Sequence, residues 1–163
     1  MVSPPLSEVV SFDTDERRME VLLVDDDRAM VEMSATFLER ELDRVATTTV
    51  VDPADALEEL RGGDYDCIVS DFDMPRIDGL ELLHRVRSEG TDAPFILFTG
   101  KGSEEIASRA ITAGVTDYLQ KGSGVDPYRV LANRVRNAVG RDWADRHVHR
   151  GLQDTETAPA RSH

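Results

Sequence analysis

Side chains that could bind a cation and a phosphoryl group follow short apolar runs at four points of the sequence. They are Asp25 and Asp26 after VLLV, Asp71 after CIVS, Thr99 at the end of FILFT and Lys121 after DYLQ. Carboxylates held close together either keep protons or bind a cation, and oxygen donors that leave room for water suit Mg²⁺. An amine and a hydroxyl beside that metal would hold the oxygens of a phosphoryl group, whose transfer depends mainly on positioning and charge neutralisation. Because a carboxylate can itself be the nucleophile, these residues suggest an aspartate that becomes phosphorylated.

The apolar runs are predicted to be strands, and the segments between them have the periodicity of helices. The predicted strands are 21–25, 44–50, 66–71, 94–99 and 115–120, and the predicted helices are 29–42, 52–63, 79–90, 103–114 and one from 126 onward. Asp52 and Asp126 each precede a proline, a combination that favours a helix N-cap. Five strands alternating with five helices predict a parallel sheet covered on both faces. Since ligands bind outside the carboxyl ends of such strands, the five side chains should meet at one edge.

The length of 163 residues favours one domain with flanking segments. Residues 1–19 combine prolines, serines and charges, which predicts a disordered N-terminal tail. Residues 20–139 are expected to form the domain, and residues 140–163 a helix extension followed by a disordered C-terminal tail from about residue 150. No apolar run approaches the roughly 20 residues of a membrane span, and no signal-peptide pattern opens the chain. The single cysteine excludes an internal disulfide and favours a cytoplasmic location.

The charge of the chain is strongly acidic, with 32 acidic residues against 19 basic ones and a net charge of −13. This balance argues against direct DNA binding, which needs a positive surface. Of the basic residues only Lys101 and Lys121 are lysines. A surface this acidic is tolerated best where salt screens it, and the composition is typical of proteins from salt-loving archaea.

Four segments resemble the motifs of the response regulator receiver domain, in that family's order and spacing over residues 20–139. They are VLLVDDD (21–27), VSDFDMPRIDG (69–79), ILFTGKG (96–102) and DYLQKG (117–122). The resemblance implies a flavodoxin-like, three-layer (βα)5 sandwich whose parallel sheet has the strand order 2-1-3-4-5. FTGKGSEE together with DYLQKG is similar to haloarchaeal single-domain receivers in particular, in agreement with the composition.

The resemblance implies a role for each acidic residue of the motifs. Asp71 resembles the phosphoacceptor, which becomes 4-aspartylphosphate. Asp25 and Asp26 resemble the acidic pair that holds Mg²⁺ together with Asp71, and Asp73 resembles the residue whose backbone carbonyl binds the same ion. A hypothesis from the sequence alone adds that Asp73 and Lys101, each two residues beyond a motif residue, could pair across the path of an attacking water.

The remaining motif residues resemble those that sense the phosphoryl group. Thr99 resembles the switch hydroxyl, Lys121 the lysine that pairs with the phosphoryl group, and Tyr118 the aromatic side chain that moves inward with Thr99. The family usually has proline after this lysine, often with a cis peptide bond, whereas Gly122 follows Lys121 here. A cis bond to a non-proline residue is costly, so a trans bond and a looser loop are expected.

The implied activity is that of a two-component phosphorelay. A sensor histidine kinase or a phosphotransfer protein would donate the phosphoryl group, and the fourth helix, fifth strand and fifth helix would form the face that changes. That face would bind a downstream protein or a second copy of the chain. Such a domain is a signalling protein that catalyses only its own phosphorylation and dephosphorylation; whether it is a relay, a phosphate sink or a direct effector stays open.

Two other functions stay open. Asp71 and Asp73 after an apolar strand also resemble the DxD pair of haloacid-dehalogenase-like phosphatases, which use Mg²⁺, a hydroxyl and a lysine. That family has its DxD on the first strand and its acidic pair late, the reverse of the order here. The third possibility is a constitutive interaction module that is never phosphorylated, although every residue of the chemistry is present.

Overall fold

The computed structural model describes residues 17–100, 102–122 and 126–160. The elements alternate as expected: β1 Met19–Val24, α1 Arg28–Glu41, β2 Val45–Val50, α2 Pro53–Gly62, β3 Cys67–Ser70, α3 Gly79–Ser88, β4 Phe95–Thr99, α4 Glu104–Ala113, β5 Asp117–Gln120 and α5 Pro127–Ala160. Each predicted strand and helix is present, and most of their ends differ from the prediction by one or two residues.

The five strands form one parallel sheet in the order β2-β1-β3-β4-β5, which confirms the predicted topology. β1 pairs with β2 on one side and β3 on the other, so it lies inside the sheet. All residues of β3 and β4 are buried, as expected for parallel strands covered on both faces. The edge strand β2 is only partly buried and carries three threonines.

Two apolar clusters, one on each face of the sheet, hold the helices in place. Alternate residues of β1 point to opposite faces, so Val21 and Leu23 pack on one side and Leu22 and Val24 on the other. The first cluster includes residues of α1 and α5, namely Val31, Leu38, Leu131, Val135 and Val139. The second includes residues of α2, α3 and α4, namely Leu57, Leu83, Val86 and Ala110. The chain is therefore a three-layer sandwich with two helices on one face and three on the other.

The helices begin at polar caps that the sequence indicated. The Asp52 carboxylate accepts a hydrogen bond from the Ala54 N–H at 2.9 Å. The Asp126 carboxylate accepts bonds from the N–H groups of Tyr128 at 3.2 Å and Arg129 at 3.3 Å. These bonds satisfy donors that the first turn of a helix leaves unpaired.

The two ends of the chain differ in detail from the segments expected from the sequence. Met19, at the end of the predicted tail, is already part of β1, and residues 1–16 lie outside the described residues. α5 runs to Ala160, so it includes residues 151–160, which were expected in a polar tail. Between residues 141 and 158 Gly151 is the one glycine and there is no proline, so a helix that has already formed meets no strong stop signal before Pro159, next to its last residue.

The extension of α5 is attached to the base of the sheet by Trp143. The indole N–H donates a hydrogen bond to Asp66 Oδ1 at 3.2 Å, while the Glu20 N–H donates to Asp66 Oδ2 at 2.8 Å. The Arg17 guanidinium lies 4.1 Å from the centre of the Trp143 ring. None of the described helices has the length and apolar character that crossing a membrane requires.

Candidate functional site

A cavity of about 380 Å³ opens at the carboxyl ends of β1, β3, β4 and β5. The residues that line it are Asp25, Asp26, Asp27, Met30, Asp71, Asp73, Thr99, Gly100 and Lys121. Six of the seven candidate site residues thus lie around one opening, and Tyr118 does not line it. The parallel sheet explains this convergence, because the chain leaves neighbouring strands at the same edge.

The three aspartates expected to hold a cation come together at this edge. Carboxylate oxygens of Asp25, Asp26 and Asp71 all lie within 4.8 Å of one another. Asp25 is buried, Asp71 is half-buried and Asp26 is exposed, so the group is open to solvent on one side. Oxygen donors with room left for water are the chemistry that Mg²⁺ prefers, and the donor set therefore fits the ion that the sequence suggested. Asp73 lines the same cavity with an exposed side chain.

Lys121 reaches into the carboxylate group from the end of β5. Its Nζ lies 2.7 Å from Asp25 Oδ2 and 3.8 Å from Asp71 Oδ1, and the lysine side chain is only 12% exposed. The Lys121 N–H donates to the Thr99 carbonyl at 2.9 Å, which continues the pairing of β4 with β5 beyond the strand end. This bond fixes the backbone from which the side chain extends toward the aspartates.

The backbone at Lys121 and Gly122 agrees with the trans peptide bond that the sequence predicted, whereas residues 123–125 of the same loop lie outside the described residues. No cis peptide bond occurs in the described part of the chain, so the bond from Lys121 to Gly122 is trans as expected. Gly122 has φ 72°, in the left-handed region that glycine adopts at least cost. The chain therefore turns after Lys121 because Gly122 adopts a left-handed backbone conformation.

The environment of Asp71 raises the pKa of its carboxyl group above the ordinary value, chiefly through burial. The Lys121 ammonium opposes the shift, whereas the Asp25 carboxylate adds to it. Like Lys121, two hydrogen bonds favour the ionised form and so lower the pKa. They come from the Thr99 hydroxyl and from the Phe72 N–H, the latter 2.9 Å from Asp71 Oδ1. The net result is a carboxylate whose charge is only partly compensated, and a bound cation would compensate it further.

Tyr118 lies on β5, where it is half-buried against the apolar cluster of α2, α3 and α4. Its hydroxyl accepts a hydrogen bond from Gln120 Nε2 at 3.5 Å. In the β4–β5 pairing, Leu97 lies opposite Tyr118 and Thr99 lies opposite Gln120. Tyr118 thus lies two residues before the position on β5 that pairs with Thr99, and its side chain does not line the cavity.

Several residues at this edge were not singled out by the sequence reasoning. Met30 lines the cavity, although a methionine in an apolar helix pattern gives no sign of a site. The carboxylate of Asp27 caps α1, accepting from the Ala29 N–H at 3.1 Å and the Met30 N–H at 3.3 Å. Gln120 covers Gly102 so closely that a Cβ there would lie 1.4 Å from its Nε2. No sequence signal distinguishes such a glutamine from one on an open surface. Lys101, proposed to pair with Asp73, lies outside the described residues.

Comparison with known proteins agrees with the geometry. The family model of the response regulator receiver domain matches residues 21–132. The transcriptional regulatory protein FixJ of Bradyrhizobium diazoefficiens is 38% identical over 103 residues, which are 62% of this chain and 48% of FixJ. The response regulator SaeR of Staphylococcus aureus is 32% identical over 123 residues, 74% of this chain and 50% of SaeR. The chain spans about half the length of these curated relatives.

Solved structures share the fold over almost their whole length. A Francisella response regulator receiver domain has a TM-score of 0.69 and 30% identity, covering 77% of this chain and 99% of its own. TrrA of Thermotoga maritima, solved in complex with Mg²⁺-BeF, has a TM-score of 0.61 and 26% identity, covering 72% and 98%. A CheY-like protein of Methanospirillum hungatei, at 22% identity and a TM-score of 0.68, covers 78% and 98% and shows likeness of fold. The matched segment, the strand order and these similarities show that the chain belongs to the response regulator receiver family.

Proposed function

We propose that this receiver domain accepts a phosphoryl group on Asp71 from the phosphohistidine of a sensor histidine kinase or a phosphotransfer protein. The observation that carries the proposal is the position of the Asp71 carboxylate in an open cavity, beside two further carboxylates and 3.8 Å from the Lys121 ammonium. A carboxylate placed in this way is a nucleophile next to groups that can neutralise phosphoryl oxygens.

In the proposed transfer, an Asp71 carboxylate oxygen attacks phosphorus and forms an O–P bond. The P–N bond to the donor imidazole breaks, and its electron pair leaves with the imidazole nitrogen. Lys121 and Thr99 would bind the oxygens of the transferred group, the first by charge and the second by hydrogen bonding. In the second half of the cycle, a water oxygen attacks phosphorus, the bond between phosphorus and the Asp71 oxygen breaks with its electron pair staying on Asp71, and inorganic phosphate leaves.

Mg²⁺ would be held by the carboxylates of Asp25, Asp26 and Asp71, with the backbone carbonyl of Asp73 as a further donor. When bound, the ion would supply positive charge that offsets the charge of the phosphoryl group and the aspartates. The proximity of the three carboxylates supports this assignment. The complex of the related TrrA with Mg²⁺-BeF is a second, comparative argument for it.

The proposed output is a change in the face formed by α4, β5 and α5. Thr99 and Tyr118 lie on neighbouring strands, and Tyr118 packs against the apolar cluster of α2, α3 and α4. A shift of the Thr99 hydroxyl toward a phosphoryl group would leave space for the Tyr118 ring, so that the surface offered to a partner protein would differ between the two states. A downstream protein or a second copy of this chain would bind that face.

The test is the intact mass of the protein in high salt after incubation with acetyl phosphate, and separately with a phosphorylated histidine kinase. We expect one phosphoryl adduct that depends on Mg²⁺ and is absent from Asp71→Asn. Asp92→Asn changes an aspartate whose side chain is 88% exposed and is the matched control, which should keep the adduct. An adduct that persists in Asp71→Asn, or no adduct from either donor, would contradict the proposal.

A parallel assay with a phosphate monoester separates the alternatives. Steady release of phosphate from the monoester would favour a phosphatase that uses Asp71 and Asp73. A protein with neither adduct nor turnover, but with unchanged partner binding, would instead be a constitutive interaction module.

A further inference from the structure

Three aromatic side chains form a continuous row of ring contacts that ends at Lys121, on the sheet face covered by α1 and α5. Lys121 Nζ lies over the Phe98 ring, 5.5 Å from its centroid. Tyr128 meets Phe98 edge to face, with centroids 5.6 Å apart and an interplanar angle of 74°. Phe37 of α1 also packs against Tyr128, with a centroid distance of 5.4 Å. This row of ring contacts thus connects α1 and α5 to the Lys121 amine at the cavity.

The Phe98 ring gives the Lys121 ammonium a contact besides those to the aspartates. An aromatic face carries partial negative charge, and a cation within about 6 Å of the ring centroid is attracted to it. Phe98 is only 2% exposed and the Lys121 side chain 12%, so little water competes for this contact. A lysine side chain is long and has many rotamers, and the ring restricts where its ammonium can lie.

Tyr128 in turn is held from several directions. Its backbone N–H donates to the Asp126 carboxylate at the start of α5, at 3.2 Å. Its hydroxyl lies 3.9 Å from the sulfur of Met30, which lines the cavity. Because Tyr128 is fixed at both ends, its ring limits the tilt of the Phe98 ring that it meets edge-on.

We infer that Phe98 and Tyr128 are positioning residues for Lys121: Phe98 holds the ammonium near Asp25 and Asp71 through its ring face, and Tyr128 fixes that ring. The contact itself is a property of the resting protein. Its consequence for phosphorylation rests on the proposed function, in which Lys121 binds the phosphoryl oxygens. The first turn of α5 is thereby linked mechanically to the amine of the site.

The test measures the contact and its consequence separately. The first readout is the ¹H chemical shift of the Lys121 methylene next to the ammonium, which an aromatic face moves upfield. The second is the affinity for Mg²⁺-beryllofluoride, used as a mimic of the phosphoryl group. Phe98→Leu should lose the upfield shift and weaken beryllofluoride binding by about threefold to tenfold, the range expected for a partly desolvated cation–π contact. Phe95→Leu is the matched control, since Phe95 is fully buried on the same strand but packs in the cluster on the other face.

A second pair of variants tests the role of the tyrosine without changing the sheet. Tyr128→Leu removes the ring and should reduce the upfield shift in part, whereas Tyr128→Phe keeps the ring and should keep the shift. This pair also carries the test if Phe98→Leu does not fold. An unchanged Lys121 shift in the ring-deleting variants would overturn the inference, as would an equal loss of beryllofluoride affinity in Phe95→Leu. If the wild-type protein bound no beryllofluoride, the proposed function would fail while the chemical shift still decided the inference.

Discussion

At the scale of single residues, the cavity concentrates negative charge around one amine. Five of its lining residues are aspartates and one is a lysine. The Lys121 ammonium lies closer to Asp25 than to Asp71, so the proposed phosphoacceptor is the less well compensated of the two carboxylates. Burial raises the pKa of Asp71 beyond what Lys121 and the hydrogen bonds from Thr99 and Phe72 offset. An arrangement of this kind trades folding stability for reactivity.

We therefore predict that Asp71→Asn is more stable than the wild type at neutral pH in the presence of EDTA. A carboxyl group whose pKa is raised on folding binds its proton more tightly in the folded state. Between the ordinary pKa of an unfolded aspartate and the raised folded value, stability accordingly falls as the pH rises. Above both the unfolded and the folded pKa, the ionised Asp71 side chain lowers the free energy of unfolding by its full amount. Asparagine carries no charge and does not lower it in this way. The measurement is the free energy of unfolding in urea at neutral and at acidic pH.

The stability difference should shrink as the pH falls below the ordinary aspartate range, because the wild-type carboxyl group is then protonated in both states. Asp92→Asn, at an exposed position, serves as the control and should show little change at either pH. If Asp71→Asn proved equally or less stable at neutral pH, burial would not dominate the pKa of this group.

The sequence predicted which residues meet, but not how they pair. Asp25, Asp71 and Lys121 follow three strands, and the parallel topology alone brings them to one edge. The preference of Lys121 for Asp25 depends on the path of a flexible side chain past Phe98, which no spacing encodes. The position of Tyr118 outside the cavity likewise follows from the pleat of β5 and from its packing against the apolar cluster of α2, α3 and α4.

At the scale of elements, the start of α3 is in close contact with the loop that carries Asp71. The Gly79 N–H donates to the Phe72 carbonyl at 2.8 Å. A Cβ on Gly79 would lie 2.4 Å from the Asp71 carbonyl oxygen and 2.7 Å from Leu97 Cδ1. The backbone oxygen cannot move without moving Asp71, so the absence of a side chain at Gly79 determines how closely the helix approaches the site.

Gly79→Ala should therefore lower the free energy of unfolding by about 1–3 kcal/mol, the usual cost of forcing extra volume into a packed region. It should also slow phosphorylation of Asp71, because the clash displaces the backbone of that residue. Gly62→Ala is the matched control: Gly62 ends α2, and a Cβ added there would meet no neighbouring group within 4 Å, so we expect no loss of stability. Chemical unfolding and the rate of adduct formation measure the two effects. Equal behaviour of the two alanine variants would contradict this account of α3.

The sequence was a good guide to the ten elements and a poorer one to the end of α5. Apolar periodicity and the cap Asp52 place nine of the helices and strands almost completely, and the cap Asp126 places the start of α5. Beyond Val139 the chain has few apolar residues, so periodicity gives no boundary, although Trp143 attaches the extension to Asp66. Where a helix continues beyond the core, its end depends on whether a stop signal is present. The lack of such a signal is weak evidence in a sequence.

At the scale of the whole molecule, net charge is the property that the family fold does not explain. The sheet order, the two apolar clusters and the helix caps serve the fold whatever the surface charge, yet this chain carries a net charge of −13. Like charges at this density repel one another more in the compact state than in the unfolded chain. Salt shortens the screening length and so weakens this repulsion, which makes the effect of salt on stability a test of whether the acidic composition is an adaptation to salt.

The last prediction is that stability rises with salt. Raising KCl from about 0.1 M to about 1 M shortens the screening length from roughly 10 Å to roughly 3 Å, which weakens the repulsion between surface acids. We expect Tm to increase by about 5 °C over this range, equivalent to roughly 1–2 kcal/mol for a chain of this size. The double variant Glu32→Lys and Asp64→Lys, at two exposed positions, reduces the net negative charge and should give a shallower dependence of Tm on KCl. Thermal unfolding followed by circular dichroism would measure both slopes. A Tm independent of KCl, or the same slope in the double variant, would show that surface repulsion does not limit the stability of this domain, and the acidic composition would then need a cause other than adaptation to salt.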